Sequence, residues 1–432
     1  MSRYGAWLAA TTLSLVGTQV MGFAMAWTAA GHGATWAGLV LTAINLPRAL
    51  FLLFGGAVAD RVGAWRVMIS ADVAMTAVTL TLAALTRQMS DRPLLLVMVA
   101  FAIGFADAFY LPSSGSMPRL LVPTASLARA TSARQIAGQS AAFTGPALGG
   151  LLLATFGLAV TAIANAATFA IMAAVLIALR PRPARLIHRP PAHAGVSAAA
   201  GSGSDDRRWP MSGWGRQTFD GLRVGFTNPV LRPHLLMTAT AAGLLLPCAG
   251  LLVPVLARQL GWPPASAGAV AATIALGSGA VAAVVLVRGA LPNPRRMASR
   301  GLFVASGGVA FLALVGLADR STSFGPGQLP LPAALTAAAL IGVGMGMFGT
   351  SVAPLVLGAT PETHLARVQA VLVFAQSVPL LVTNNLLGAF ADVVPAGFVL
   401  LTCAGLLAAS VGVIGLHESG NGSRATVRGA VP

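Results

Sequence analysis

The chain contains no lysine; all 27 of its basic residues are arginine. That absence excludes a lysine-bearing phosphate loop and any Schiff base on a lysine amine. Charge of either sign is scarce, at 9% of 432 residues, while 56% are hydrophobic and the mean hydropathy is +0.80. A soluble globular chain needs about 25% charged residues to cover its surface, so this chain has lipid as its solvent. There are only two cysteines, Cys248 and Cys403, each inside an apolar run. They read as small buried residues rather than a disulfide or metal pair. The six histidines are scattered, four of them (His32, His188, His193, His417) in loops or tails. No His, Cys or carboxylate cluster marks an enzyme, so no catalytic residue, metal site or cofactor is expected.

What the chain has in quantity is apolar length. Runs of about 17 to 25 apolar residues predict membrane-spanning helices, and they fall near 5–27, 36–58, 67–87, 94–117, 131–155 and 158–179, then near 233–257, 265–288, 301–318, 332–357, 366–390 and 395–416. The fold class is therefore all-α membrane protein, with twelve helices in two sets of six. The net charge of +16 would suggest nucleic acid in a soluble protein, but here the arginines sort by loop. With the N-terminus on the cytoplasmic side, 22 arginines fall inside and only Arg87, Arg92, Arg258 and Arg320 fall outside, leaving Arg48 within a run. That bias predicts both termini in the cytoplasm and no nucleic acid partner. Trp7 and Trp65 fall at inner helix ends, and Trp27, Trp36 and Trp262 at outer ones.

Residues 1–180 and 233–417 form the expected lobes, joined by a cytoplasmic linker, 181–232, and followed by a tail, 418–432. The linker opens on Arg180-Pro-Arg-Pro and passes through Gly/Ser/Ala-rich residues, a composition unable to bury a core. Near its end Phe219, Leu222 and Phe226 stand at helical spacing beside Arg216 and Arg223. This reads either as a short amphipathic helix on the inner membrane face or as a solvated linker helix. A P-x-x-x-L-A-R pattern follows the fourth run (Pro123 to Arg129) and recurs after the tenth (Pro361 to Arg367), which argues for duplicated six-helix lobes. The glycines at Gly342, Gly344 and Gly346 mimic a phosphate loop, but they lie inside the tenth run and serve helix packing.

Between the second and third runs stands a G-x-x-x-D-R-x-G turn, Gly56, Asp60, Arg61 and Gly63, with Arg66 following. With the twelve runs in two lobes, this turn resembles that of the major facilitator superfamily of secondary transporters. Leu46-Pro47-Arg48, Gly55-Gly56, Ala59-Asp60-Arg61, Tyr110-Leu-Pro112, Gly145-Pro146-Ala-Leu-Gly149-Gly150 and Asn228-Pro229-Val-Leu-Arg232 are similar to the enterobactin-exporter and macrolide-efflux branch. The resemblance implies that Asp60 latches the lobes on the cytoplasmic side by meeting the N-terminus of the eleventh run, with Gly56, Arg61, Gly63 and Arg66 in the same inner gate; Asp72, about six residues into the third run, is shallow enough to join its charge network. The chain departs at Ala64 and Trp65, where the family carries basic residues. Gly145, Pro146, Gly149 and Gly150 resemble the fifth-helix motif of exporters, without its upstream glycines. The resemblance also places the first, fourth, seventh and tenth runs around a central cavity. Candidate lining residues are Gln19, Phe23, Phe105, Phe109, Met237, Thr240, Met345, Phe348 and, in the eleventh run, Gln376.

The charges inside runs point to coupling, because a charge at mid-bilayer costs several kcal/mol and serves a pathway or a partner. Arg48 precedes Asp60 by twelve residues and Asp107 precedes Arg119 by twelve, on runs in the same direction. Both then lie about 18 Å from the inner edge, as an ion pair that either moves protons, Asp107 taking and releasing one, or is purely structural. The expected function is export of a bulky amphipathic small molecule (antibiotic, siderophore or other secondary metabolite) by proton antiport and alternating access. The alternative is a proton-coupled uptake permease of the same fold. The expected partners are the substrate, protons and membrane lipid, for a monomer in a bacterial inner membrane.

Overall fold

A computed structural model of the chain describes residues 3–86, 92–180, 231–289, 292–321, 331–358 and 365–428. All regular secondary structure among these residues is helical. That follows from the solvent, since a span in hydrocarbon must pair every backbone N–H and C=O within itself. The first half holds α1 (Arg3–Ala30), α2 (Ala34–Val62), α3 (Ala64–Thr86), α4 (Pro93–Leu121) and α5 (Leu127–Leu179). The second holds α6 (Leu231–Pro247), α7 (Val253–Gln259), α8 (Pro264–Arg288), α9 (Pro294–Ser321), α10 (Leu331–Gly358), α11 (Leu365–Val393) and α12 (Ala396–Arg428). Among the described residues nine helices are long and apolar enough to cross a membrane.

Two spans differ from their sequence-based outline. The fifth and sixth runs form one element, α5, broken only at Gly157, which sits at φ 76° and ψ 179°. Only glycine adopts that conformation cheaply, so this residue separates the two arms. The seventh run is interrupted by a π-helical turn, Cys248–Leu252, between α6 and α7. Pro247 precedes the turn and Pro254 follows it, and a proline in a helix removes a hydrogen bond that the wider turn absorbs. At the C-terminal end α12 continues as helix to Arg428, past the 417 boundary of the expected tail. The linker helix around Phe219 and most of the second P-x-x-x-L-A-R copy lie outside the described residues.

The lobes are built by pairwise packing. In the first, α1 and α3 pack on α5, and α2 and α3 on α4; in the second, α10 packs on α8 and α9, α9 on α12, and α6 on α11. The lobes meet along two seams, α2 against α11 and α5 against α8. Small residues set the separations. Gly104 of α4 abuts the Ile44 carbonyl of α2, and Gly55 of α2 abuts the Ala108 carbonyl of α4. Without a hydrophobic drive between helices in lipid, such backbone approach supplies the dispersion contacts that hold them.

The end of the first lobe that carries Arg3, Arg61, Arg66, Arg119 and Arg129 is knitted by side chains reaching backbone carbonyls. Arg3 donates to Leu179, Tyr4 Oη to Ala130 at 2.5 Å, and Trp65 Nε1 to Leu176 at 2.8 Å. This end is the arginine-rich face below; the α1–α2 and α11–α12 turns lie on the opposite face.

Candidate functional site: a charged pair lining an interlobe cavity

Asp107 lies on α4 between the two glycine contacts that bring α4 against α2, and Arg48 faces it from α2. Arg48 Nη2 donates to Asp107 Oδ2, forming the ion pair anticipated from equal depth. The Asp107 side chain keeps 8% of its surface and Arg48 keeps 33%. Both line a cavity of about 240 Å³ between the lobes. Its first-lobe wall mixes polar Thr18, Gln19, Asn45 and Asn165 with apolar Met21, Phe23, Met25, Leu41, Ile44, Ile103 and Phe169. Ala249 and Gly250 of the π-turn and Ala271 of α8 close it from the second lobe, with no charged residue there among those described. The buried Nδ2 of Asn165 has no hydrogen-bond partner among the described residues. Asn165 and the π-turn were not singled out from sequence; an asparagine amid an apolar run was the available signal.

Of the nine candidate cavity residues, Gln19 and Phe23 line this cavity. Phe105 and Phe109 do not. Each is two positions from Asp107, about 200° around the helix, so a carboxylate turned inward puts both rings on the other side. They pack against each other at a tilt of 57° and Phe105 meets Phe51 edge-on, with Phe105 42% exposed. Met237 is buried in the core, Met345 and Phe348 pack against it, Thr240 hydroxyl bonds its own helix at Leu236, and Gln376 is exposed on α11.

At the α2–α3 turn Gly63 has φ 96° and is the single residue between the helices, its N–H donating to Ala59 at 3.0 Å. Gly56 faces Pro112 of α4. Asp60, Arg61 and Arg66 are exposed. Asp72 does not join them. Its carboxylate is fully buried near Met68, Ala71 and Tyr110, and neither oxygen has a partner among the described residues. Two turns of α3 separate it from the surface turn, which is enough to carry it under the packing of α4 and α5. Trp65, an apparent departure from the family's basic pattern, anchors the start of α3 on the end of α5 through its indole N–H.

The fifth-helix glycines divide by face. Gly145 and Gly149 rest on Gln19 and Val20 of α1, while Gly150 rests on Pro264 and the Pro146 carbonyl on Gly268, both in α8 of the other lobe. Positions i and i+4 share a helix face, so this short motif serves an intralobe contact on one side and a seam on the other.

The opposite face is closed by contacts that the sequence did not announce. Asp392 in α11 accepts from the backbone N–H groups of Ala34 (2.5 Å) and Thr35 (3.0 Å) at the start of α2. The Arg258 guanidinium lies 4.6 Å over the Trp27 ring. Gln259 bridges to Ala391 and Ala396, and Asn385 donates to the Thr42 hydroxyl. The cavity is thus sealed on the side away from the arginines.

The family model of the Major Facilitator Superfamily matches residues 7–383, and the chain belongs to this family. It is a multi-pass membrane transporter whose twelve spans form two six-helix lobes. No curated protein matches it. Among solved structures, a POT family transporter in complex with 5-aminolevulinic acid superposes with a TM-score of 0.74 at 10% identity, covering 96% of this chain and 95% of that one. The POT family transporter PepTSo gives 0.71 at 14% identity, covering 97% and 98%. The nucleoside transporter NupG gives 0.68 at 12%, covering 96% and 98%. At such identities the likeness is one of fold.

Proposed function

We propose that this transporter exports a bulky amphipathic small molecule, an antibiotic, siderophore or other secondary metabolite, by proton antiport and alternating access. The observation that carries this reading is the Arg48–Asp107 pair facing an otherwise mostly apolar cavity between the lobes. An ion pair in a membrane interior is expensive to maintain and marks a coupling site. The methionine and aromatic lining suits a partly hydrophobic ligand held by adaptable contacts. The second-lobe wall, formed by Ala249, Gly250 and Ala271, offers among the described residues no charged group with which to select a sugar or an acid for uptake.

In this reading Asp107 takes a proton when Arg48 leaves it, and substrate and proton compete for the same cavity. The arginine-rich face is cytoplasmic, both termini are inside a bacterial inner membrane, and the conformation described is open inward. Gly56, Asp60, Arg61, Gly63 and Arg66 form the inner gate. Residues 1–180 and 233–417 are the lobes of a monomer, with 181–232 as linker. Substrate, protons and lipid are its partners.

The test is transport in inverted membrane vesicles, where export appears as uptake. Candidate amphipathic compounds should accumulate when a proton gradient is imposed, stop with a protonophore, and fail to accumulate with Asp107→Asn. Full gradient-driven accumulation by Asp107→Asn would sink the coupling role, and accumulation only in right-side-out vesicles would reverse the direction.

A further inference from the structure

Asp392 stands in the last turn of α11, one residue from its end. There it faces the negative end of its own helix dipole, an unfavourable place for an anion. Its compensation comes from the other lobe. Both carboxylate oxygens accept backbone N–H groups of the first turn of α2. Those N–H groups have no cap of their own, because the N-cap residue is Gly33, at φ 127°. A side chain there would also crowd Asp392, since a Cβ would stand 3.2 Å from its Oδ1. Asp392 therefore caps α2 from outside its lobe, and the bond exists only while the opposite face is closed.

The same pair of helices carries the mirror arrangement. α2 and α11 are each 29 residues long. They run antiparallel, with Gly388 against Ala34 and Gly38 against Asn384. Asp60 lies in the last turn of α2, at the end where α11 begins, and it is exposed with no partner among the described residues. The two ends are about 40 Å apart on stiff helices, so a rocking motion that closes one end opens the other.

We propose that Asp392 is a gating residue of the transport cycle, a latch that caps α2 across the seam and holds the opposite face shut, in alternation with Asp60 at the arginine-rich end. Release of the Asp392 cap frees two backbone donors and one carboxylate together, which makes opening a discrete step rather than a gradual slide. The neighbouring Arg258–Trp27 stack closes the same face without involving either helix end, so it adds grip but no alternation.

This inference deepens the alternating-access part of the proposed function, and its test needs neither substrate nor proton gradient, so a failure of the export reading leaves its result standing. With Cys248 and Cys403 replaced by alanine, spin labels go on exposed Leu94 and Leu331 at the opposite face, or Leu120 and Val287 at the arginine-rich face. Distance distributions are measured by pulsed electron resonance in lipid nanodiscs. Asp392→Ala should raise the ratio of opposite-face-open to closed molecules about tenfold, equivalent to about 1.4 kcal/mol, with shortening of the other pair. Asp392→Glu should stay near the starting distribution. Asp60→Ala should favour the closed opposite face, and the double variant should return toward the starting ratio. If Asp392→Ala does not fold, Asp392→Asn replaces it. Unchanged distances in folded Asp392→Ala, or in Asp392→Asn where it takes that place, overturn the latch; a shift of Asp60→Ala in the same direction as Asp392→Ala overturns the alternation.

Discussion

Arg48 reaches Asp107 across the α2–α4 interface with a single guanidinium nitrogen, and both side chains border the interlobe cavity. Breaking one partner of a pair leaves the other charge uncompensated, whereas removing both does not. Arg48→Met or Asp107→Leu alone should therefore lower stability by about 1–3 kcal/mol, below the roughly 3–5 of a fully buried pair, because Arg48 retains a third of its surface. The double variant should lose less than the sum of the singles. Thermal unfolding of the four proteins in detergent measures the cycle; strict additivity would mean the pair is not coupled.

The geometry of that pair depends on backbone contact. At Gly104 an added Cβ would run into the Ile44 carbonyl, which cannot yield without moving α2. Gly104→Ala should cost about 1–3 kcal/mol through overpacking and should also weaken proton coupling by displacing Asp107 from Arg48. Gly115 on the same helix has open space around it, so Gly115→Ala is the matched control and should change neither the unfolding midpoint nor coupling.

The two faces of the α5 motif should separate in experiment. Gly150→Ala intrudes on the Pro264 carbonyl at the seam, while Gly145→Ala intrudes on Gln19 within the lobe. Gly150→Ala should loosen the closure of the opposite face, seen as faster reaction of a cysteine at Ala34 with a membrane-impermeant maleimide. Gly145→Ala should lower the unfolding midpoint by several degrees, an effect of about 1–2 kcal/mol, and leave that labelling rate alone. Equal effects on labelling would contradict the division of the motif by face.

Asp72 is buried without a hydrogen-bond partner for either oxygen among the described residues, near a Tyr110 hydroxyl that also lacks one there. A bare carboxylate in such surroundings is costly. Asp72→Asn keeps the shape and removes the ionisable group, so it should hold or raise stability, by up to about 3 kcal/mol, read as an unchanged or higher thermal midpoint. A drop of several degrees would reveal a partner for the carboxylate and argue against the isolated site.

Much of the architecture was legible because lipid makes the rules strict. Spans had to be long and apolar, and their ends followed the arginines. Arg48 and Asp107 could be paired from their equal distance to Asp60 and Arg119, since helix rise converts spacing to depth. Phe105 and Phe109 show the limit, because depth is readable from spacing but rotation about the helix axis is not, until one contact fixes it. Asp72 shows the same limit in burial, as its position on α3 gave its depth and only the packing of α4 and α5 put it out of reach of the surface.

The sequence by itself determined the membrane as solvent, the twelve spans and the presence of a charged pair at one depth. Only the tertiary structure decided which glycine faced its own lobe and which the other, which wall of the cavity stayed uncharged, and that Asp392 meets the start of α2. Periodicity and composition act along one helix, whereas those contacts join residues far apart in the chain, 358 positions for Ala34 and Asp392, where only the packing of two lobes brings a carboxylate to a helix N-terminus.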